Sequence, residues 1–271
     1  NGVNTLDLVQ IQRHILGIKK LDNPYKLIAA DADGDKAIRV NDIVTLRKMI
    51  LGITDKIEEM PSWRFVDASD RMENGPWPFR EVISHGVLTE TTTKNNFIGV
   101  KIGDVDGTAS ANAVSKSTQP RSTGVRLSVE DRAMKAGEEV EISITAEQFN
   151  EVHGMQLTLS HEGMELVSID GRAIEMTADH VGKVSKDKTT MSWASANGTT
   201  VAQGSEVMRM RFRATKAQQL SNALSITSEV TGVEAYIGTD MERSGIILEV
   251  RGKEGRPFAV GQNEPNPWKA S

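Results

Sequence analysis

One loop, residues 31–42, constrains this chain more than any other stretch of its sequence. It carries acids at its first, third, fifth and twelfth positions, namely Asp31, Asp33, Asp35 and Asp42. Carboxylates held this close together repel one another unless a cation lies among them. Ca²⁺ takes about six to eight oxygen ligands, and a loop of this length supplies them from these positions and from the backbone carbonyl of the seventh, here Ala37. The sequence therefore predicts a calcium site in this loop.

The loop departs from the usual calcium pattern at two positions. Glycine is expected at the sixth position, where the chain turns sharply, and Lys36 stands there instead. We therefore expect Lys36 to adopt a left-handed or bridge conformation. The twelfth residue is Asp42 rather than the longer glutamate, so it must approach the ion more closely. The alternative is an acidic surface turn in which Asp42 is only a helix N-cap.

The helix that follows this loop has a second copy near the start of the chain. Residues 7–18 align without a gap on residues 42–53, and half of the aligned positions are identical. Apolar residues recur at helical spacing in both copies, which predicts two helices that pack their apolar faces together. A glycine just past each helix predicts a C-cap. The register makes Asp7 the twelfth and Asn4 the ninth position of a first loop, whose first, third and fifth ligands are missing before it.

Two loop-helix repeats that end in Leu-Gly-Ile resemble a type I dockerin module. The resemblance covers residues 1–57 and implies a small α-helical, EF-hand-like module that binds a pair of calcium ions. It also implies that the helix faces bind a cohesin partner. The expected metal ligands are Asp31, Asp33, Asp35, Ala37 and Asp42 in the second loop, and Asn4 and Asp7 in the first.

The rest of the first half of the chain is less regular. Residues 22–30 carry a capping residue, a proline and then apolar residues, which predicts a short connecting helix. Residues 58–107 change to alternating, strand-like segments and are interpreted as a strand-rich extension packed on the helical module. Its aromatic residues Trp63, Trp77 and Phe79 favour a small core over a sugar-binding platform.

A second acidic stretch closes this extension. Asp104 and Asp106 are followed by Gly107 and Thr108, as at the start of a calcium loop. No acid stands at the position that would close such a loop, so a turn without an ion is favoured over a site. Residues 108–123 then run small, polar and without period, which is typical of a linker.

Composition narrows the classes of function. A length of 271 residues suggests about two domains. A net charge of −5 gives no reason to expect a nucleic-acid partner, and no apolar run approaches the roughly 18 residues of a membrane span. The chain has no cysteine, which excludes disulfides, thiol nucleophiles and thiolate metal sites and fits a secreted bacterial protein. The five histidines are scattered, and no phosphate loop or nucleophile elbow is present, so no catalytic residues are assigned.

Residues 124–251 alternate apolar and polar residues with period two, for example in 140–146, 155–160 and 208–214. Short strands separated by turn residues, with no long helical pattern between them, predict an all-β sandwich. Neighbouring acids in such strands point to opposite faces, which does not suit a paired acid and base.

The order of these strands resembles a cohesin domain, although the match is one of pattern. It is carried by residues 136–144, 154–160 and 166–169 and by a strand that ends in Phe212 and Ala214. The resemblance implies a jelly-roll-like sandwich of the cohesin and carbohydrate-binding superfamily, with one sheet face that receives a dockerin. The polar positions expected on that face are Gln156, Thr158, Arg209 and Arg211, opposite Arg13 and Lys48 of a helical module. These like charges favour a partner in trans over the module of the same chain.

The end of the chain, residues 256–271, contains Gln-Asn-Glu-Pro-Asn-Pro and resembles the start of a C-terminal sorting domain of type IX secretion. The alternative is a proline-rich tail. Together with the dockerin-like repeats, this resemblance implies an extracellular or cell-surface protein.

The sequence thus predicts a non-catalytic, calcium-binding interaction region of the dockerin and cohesin type, with a cohesin- or dockerin-bearing protein as partner. The alternative is an accessory region of a secreted glycoside hydrolase or adhesin, in which the sandwich binds polysaccharide. Few aromatic residues in the sandwich favour the first of these.

Overall fold

A computed structural model of the chain describes residues 2–58, 60–73, 75–85, 95–110 and 123–252. The expected sorting segment, residues 256–271, lies outside the described residues, as do Asn1 and most of the expected linker.

The described chain contains three α-helices, α1 (Thr5–Ile15), α2 (Pro24–Ala30) and α3 (Val40–Ile50). Helices α1 and α3 are the two repeats, and α2 is the short connecting helix. Each repeat helix is followed by a left-handed glycine, Gly17 with φ 73° and Gly52 with φ 67°, as the sequence predicts. The N–H of Ile18 bonds to the carbonyl of Arg13, so the chain turns back over the last helical turn.

The extension forms a two-stranded antiparallel ribbon of β1 (Trp63–Asp67) and β2 (Phe97–Lys101). One buried apolar cluster joins this ribbon to the three helices, and its large members include Leu8, Ile11, Ile28, Leu46, Val66, Val100, Ile102 and Val105. Burying a side chain of this size contributes about 1.5–3 kcal/mol. The extension and the helices therefore share one core, and Phe79 packs against it while Trp63 and Trp77 are only half-buried.

The second half of the described chain is all β. Its strands are β3 (Thr123–Glu130), β4 (Ala133–Met134), β5 (Glu139–Phe149), β6 (Val152–His161), β7 (Met164–Gly171), β8 (Val181–Ser185), β9 (Lys188–Thr199), β10 (Glu206–Ala214), β11 (Gln218–Gln219), β12 (Leu224–Thr227), β13 (Glu234–Ile237) and β14 (Glu242–Arg251). The long sheet has the order β7-β10-β5-β3-β14-β13-β6-β9-β8, β12 pairs with β6, and β4 pairs with β11.

This long sheet curls into a sandwich at β14. The first residues of β14 pair with β13, and its later residues pair in parallel with β3, so the strand belongs to both halves. The two halves close over one apolar core, in which the rings of Phe149 and Trp193 lie 6.1 Å apart. The predicted all-β sandwich is present, with strands where the period-two alternation places them.

Strands β6 and β9 differ from the other strands because they are buried on both faces. Met155, Leu157 and Trp193 point into the sandwich core. The opposite face carries Gly154, Gln156, Thr158, Thr190 and Ser192, which are buried as well. The outer face of an antiparallel sandwich is usually solvated. A third layer therefore covers these five residues, which we call the covered face. Helix α1 packs on β6 and β9, the end of α3 lies against Thr190, and the segment at Thr231 covers Thr158.

Candidate calcium loops and the covered sheet face

The loop at residues 31–42 is closed by its last residue. Asp42 is fully buried, and its Oδ1 accepts hydrogen bonds from the N–H groups of Ala32 at 2.7 Å and Asp33 at 3.3 Å. Its Oδ2 accepts a bond of 2.7 Å from the N–H of Arg39. One carboxylate thus ties the two ends of the loop together and fixes its curvature.

The three other acids of the loop converge. Asp31, Asp33 and Asp35 each place a carboxylate oxygen within 4.8 Å of the others, and this group does not include Asp42. Asp31 is only 4% exposed, and no described residue donates a hydrogen bond to its buried Oδ1. Burial raises the pKa of Asp31 and of Asp42. An unpartnered carboxylate oxygen beside two further carboxylates is a donor set that fits a hard cation.

The backbone of this loop turns as the sequence predicts. Lys36 has φ 67°, which is the left-handed conformation expected where glycine is missing. Its N–H donates to Asp31 Oδ2 at 3.1 Å. Ala37 follows at the expected carbonyl position, and its N–H donates to Asp35 Oδ1 at 2.8 Å.

The first loop is not truncated, which corrects the sequence analysis. Asp7 is fully buried, and one of its oxygens lies within 4.8 Å of an oxygen of Asp104 and of Asp106. Asp104 and Asp106 therefore supply acids that the first loop lacks, and Asp7 supplies the closing acid that the second acidic stretch lacks. The expectation that no acid closes the stretch at Asp104 was wrong, because the closing acid precedes it in the sequence. Asp7 accepts from the N–H of Val105, 98 residues away.

The bonds of Asp7 repeat those of Asp42 one by one. Asp7 Oδ1 accepts from the N–H of Val105 at 2.8 Å and from the N–H of Asp106 at 3.1 Å. Its Oδ2 accepts from the N–H of Asn4 at 2.8 Å. Asn4, expected at the ninth position, thus occupies the place that Arg39 holds in the intact loop.

The first half of the split loop also matches its intact copy. Asp104 Oδ2 accepts from the N–H of Ala109 at 2.9 Å, as Asp31 Oδ2 accepts from that of Lys36 at 3.1 Å. Residues 104–109 thus match the first six positions of the intact loop, and residues 2–7 match the last six.

The two pieces of this loop meet at Thr108 and Gly2. The hydroxyl of Thr108, at the fifth position, donates to the carbonyl of Gly2, at the seventh, over 3.2 Å. The glycines at the fourth position of the two loops, Gly34 and Gly107, both have φ 78°. The sequence did contain a signal for this pairing, because one fragment lacks the start of a loop and the other lacks its end.

Electrostatics in the split loop favour neutralisation by a cation or by protons. Burial raises the pKa of Asp7 well above its usual value, and the charges of Asp106 and Asp104 raise it further. Burial and a hydrogen bond with Asp104 raise the pKa of Asp106 to about 6. Asp7 and Asp106, whose pKa values are raised, are thus held close to the carboxylate of Asp104.

Helix α1 begins directly on the covered face. The N–H of Thr5 donates to Gln156 Oε1 at 2.7 Å, and the hydroxyls of Thr5 and Ser192 lie 2.8 Å apart. The hydroxyl of Tyr236 donates to Glu234 Oε2 at 2.6 Å and lies 3.0 Å from Asn4 Oδ1. The residues that close the split loop are therefore bonded to the sandwich.

Helix α3 ends on the same face. The hydroxyl of Thr231 donates to the carbonyl of Ile50 at 2.6 Å, and that of Thr190 donates to the carbonyl of Leu51 at 2.6 Å. The last carbonyls of a helix lack partners within the helix. Hydroxyls of the sandwich complete this helix end.

Two glycines let the helices approach the sandwich closely. A β carbon added at Gly154 would lie 3.2 Å from Val9 Cγ2, and one added at Gly182 would lie 3.0 Å from Leu51 Cβ. Larger residues at either position would push the helices away.

The two helical repeats present two equivalent surfaces, and only one of them contacts the sandwich. Thr5, Val9 and Leu51 are 0% exposed against the sandwich. Their equivalents in the other repeat, Val40, Val44 and Leu16, are 62%, 41% and 60% exposed. The same positions are therefore buried or exposed according to whether the sandwich covers them.

The expected binding face was correct in part. Gln156 and Thr158 lie on the covered face. Arg209 and Arg211 lie instead on β10, in the other half of the sheet, where each pairs with a glutamate. The charge argument for a partner in trans was therefore wrong, because these arginines do not face the helices, and the module of the same chain occupies the face.

No protein-family model and no curated protein matches the chain. Its fold is similar to solved cohesin structures over about half its length. A chain from a type I cohesin-dockerin complex of Clostridium thermocellum is 12% identical, with a TM-score of 0.36 and coverage of 50% of this chain and 94% of that chain. The sixth cohesin of scaffoldin B from Acetivibrio cellulolyticus, solved with a Cel5 dockerin, is 17% identical, with a TM-score of 0.35 and coverage of 47% and 100%. The seventh ScaB type I cohesin from Pseudobacteroides cellulosolvens is 14% identical, with a TM-score of 0.35 and coverage of 54% and 98%.

Among the described residues, no helix is both long enough and apolar enough to cross a membrane.

Proposed function

We propose that this chain is a calcium-dependent, non-catalytic recognition region in which a sandwich of the cohesin type binds a helical module of the dockerin type within the same chain. The observation that carries the proposal is the covered face. Five outward positions of an antiparallel sheet are uncharged and buried, beneath α1, the end of α3 and the adjoining segment at Thr231. This sheet face has no charge and no exposed large side chain, and its Thr190 hydroxyl donates to a carbonyl at the end of α3. These properties suit a surface that binds helices.

Calcium is the cation that fits the two loops best. Both loops converge three carboxylate oxygens within 4.8 Å, and hard oxygen donors with backbone carbonyls suit Ca²⁺. In the intact loop Asp31, Asp33, Asp35, the carbonyl of Ala37 and Asp42 would hold the ion. In the split loop, the ligands would come from Asp104, Asp106, Thr108, Gly2 and Asp7, with Asn4 at the ninth position. Bound calcium would neutralise acids that otherwise repel one another.

The split loop links calcium to recognition. Asn4 Oδ1 lies 3.0 Å from the hydroxyl of Tyr236, and the N–H of Thr5 donates to Gln156. The loop that an ion would order therefore also sets the start of α1 on the sandwich. Loss of the ion should loosen this end of the interface first. We therefore infer that calcium favours the docked arrangement.

The proposed setting is outside the cell. Extracellular calcium modules bind with dissociation constants of about 10⁻⁴–10⁻³ M, and such sites are filled only where calcium is abundant. A dockerin- or cohesin-bearing protein that competes for either half of the interface is the partner that this chemistry implies.

The alternative function is carbohydrate binding, and the described sandwich lacks the aromatic platform that this function would need. The aromatic side chains of residues 123–252 are Phe149, Trp193, Phe212 and Tyr236, and all of them are buried. Sugar platforms need exposed rings. The described sandwich therefore favours a protein partner over a polysaccharide.

Cleavage of the chain between its two halves tests the proposed function. With a protease site placed within residues 111–122, the two pieces of the cleaved chain should co-elute in calcium. Leu51→Asp should separate them, because it places a charge against Gly182 and Thr190. Leu16→Asp, the same change at the exposed repeat-equivalent position, should leave the pieces together. Separation of the unsubstituted pieces in calcium would contradict the proposal.

A further inference from the structure

His153 is a buried group at the interface that no hydrogen bond explains. It lies in β6 and is 4% exposed, and neither ring nitrogen has a hydrogen-bond partner among the residues that the structure describes. A neutral imidazole carries one donor and one acceptor, and a buried side chain of this type is normally paired. Backbone groups of Ser195 and Ala196 lie close to the ring without completing a hydrogen bond.

Helix α1 brings a cation to this histidine. Along the helix, Thr5 meets Gln156 and Val9 meets Gly154, so the next turn carries Arg13 toward His153. The Nε of Arg13 is buried and has no partner within the described part of the chain, and Nη1 of Arg13 lies 3.9 Å from Met241 Sδ.

The ring of His153 has little freedom to turn away. A β carbon added at Gly198 would lie 2.9 Å from Nε2, so β9 closes one side of the ring. The charged groups that face His153 are Arg13 from α1 and Glu151 from the turn before β6.

Burial lowers the pKa of His153, and the charge of Arg13 lowers it further, whereas the backbone of Ser195, the charge of Glu151 and the backbone of Ala196 act in the opposite direction. When the helices leave, the ring regains water and loses Arg13, so its pKa returns toward the usual value of about 6.5. The undocked state therefore binds the proton more tightly. Because proton binding and docking are linked, docking is strongest above the pKa of the undocked histidine and weakens as the pH falls below that pKa.

We propose that His153 and Arg13 form an acid-release device, in which protonation of His153 places a second cation beside Arg13 and drives the helical module off the covered face. The inference rests on the intramolecular docking proposed above and adds its regulation. It would let acidification expose the covered face to a competing helical partner.

A second histidine at the interface provides an internal contrast. His180 lies beside Arg47 of α3, but Glu175 and Asp179 face it as well and favour its charged form. Its Nδ1 also accepts bonds from the N–H of Thr177 at 3.2 Å and lies 3.0 Å from the hydroxyl of Thr177. Charge on His180 is compensated locally, so it should contribute less to release.

Fluorescence energy transfer in the full chain tests this inference. The chain has no cysteine, so exposed Lys56 and Lys216 can be changed to cysteine and labelled with a donor and an acceptor. In saturating calcium we expect one docked population at pH 7.5. Below the midpoint pH of undocking, the equilibrium constant for docking should fall by about tenfold per pH unit, because undocking takes up one proton.

Variants identify the group that titrates. His153→Gln should keep the module docked at pH 5.5, whereas His180→Gln should open as the unsubstituted chain does. Arg13→Met should move the midpoint to lower pH. Lys48→Met, the same type of change at the exposed repeat-equivalent position, should not move it.

The outcomes separate the two proposals. If His153→Gln opens at the same pH as the unsubstituted chain, or if Arg13→Met leaves the midpoint unchanged, another group such as a loop carboxylate titrates and the acid-release inference is wrong. If the unsubstituted chain has no docked population at pH 7.5, the proposed function itself fails.

Discussion

The hydroxyl of Thr231 is an example of how single side chains hold the helical module on the sandwich. It donates to the carbonyl of Ile50, one of the last carbonyls of α3. Thr231→Val would keep the size of the side chain but leave a buried carbonyl without a partner. We expect the free energy of unfolding of the helical module to fall by about 1–3 kcal/mol, measured by urea denaturation in calcium.

The control for this substitution lies nearby in the sandwich. The hydroxyl of Thr227 is buried and has no partner among the described residues, so Thr227→Val should leave the free energy of unfolding unchanged or raise it. Equal losses in the two variants would mean that the bond to Ile50 contributes nothing.

Single residues of the intact loop could be placed from the sequence. Its acids are contiguous, so their positions follow from one local pattern, and the missing glycine correctly predicts a left-handed Lys36. His153 could not be singled out in the same way. Its burial depends on α1 and β9 covering the ring, and neither contact is visible in the residues around it.

At the scale of elements, the split loop makes a quantitative prediction about calcium. Titration calorimetry should give two calcium ions for each chain. Asp104→Asn should remove the split site and Asp31→Asn the intact site, each leaving one ion. Each occupied site should stabilise the module by about 2.7 kcal/mol when free calcium is a hundredfold above the dissociation constant.

The control is Asp22→Asn, which changes an exposed acid that pairs with Lys26 outside both loops. It should leave two sites. A stoichiometry of one in the unsubstituted chain, or of two in Asp104→Asn, would contradict the split loop.

Helices, caps and strands were accessible from the sequence because they depend on nearby residues. Helix α2 begins at Pro24 after its cap Asn23, and β10 lies where the alternation of residues 208–214 places it. The split loop was not accessible by reading forward. Its closing acid Asp7 precedes Asp104, so the pairing appears only when the two incomplete fragments are joined end to start.

At the scale of the whole molecule, the distribution of charge over the sandwich distinguishes the covered face from the outer face of β5 and β10. Outward positions of β5 and β10 carry Glu139, Glu141, Arg209, Arg211 and Arg213, which form ion pairs at the surface. The covered face carries only glycine, glutamine, threonine and serine. The alternation of apolar and polar residues predicts that the outer face of β5 and β10 and the covered face are both solvated. The absence of charge distinguishes the covered face, which the helices occupy.

A disulfide across the interface tests the central claim, that the helical module docks on the sandwich of its own chain. A β carbon at Gly154 would lie 3.2 Å from Val9 Cγ2, and disulfides need β carbons about 3.5–4.5 Å apart. The chain has no other cysteine to interfere.

Under mild oxidation in calcium, the Val9→Cys/Gly154→Cys chain should form a disulfide within a monomer, detected by peptide mapping under non-reducing conditions. Val44→Cys/Gly154→Cys, with the cysteine at the exposed repeat-equivalent position, should remain reduced. A Val9→Cys/Gly154→Cys chain that stays reduced, or that links only to a second copy, would contradict intramolecular docking.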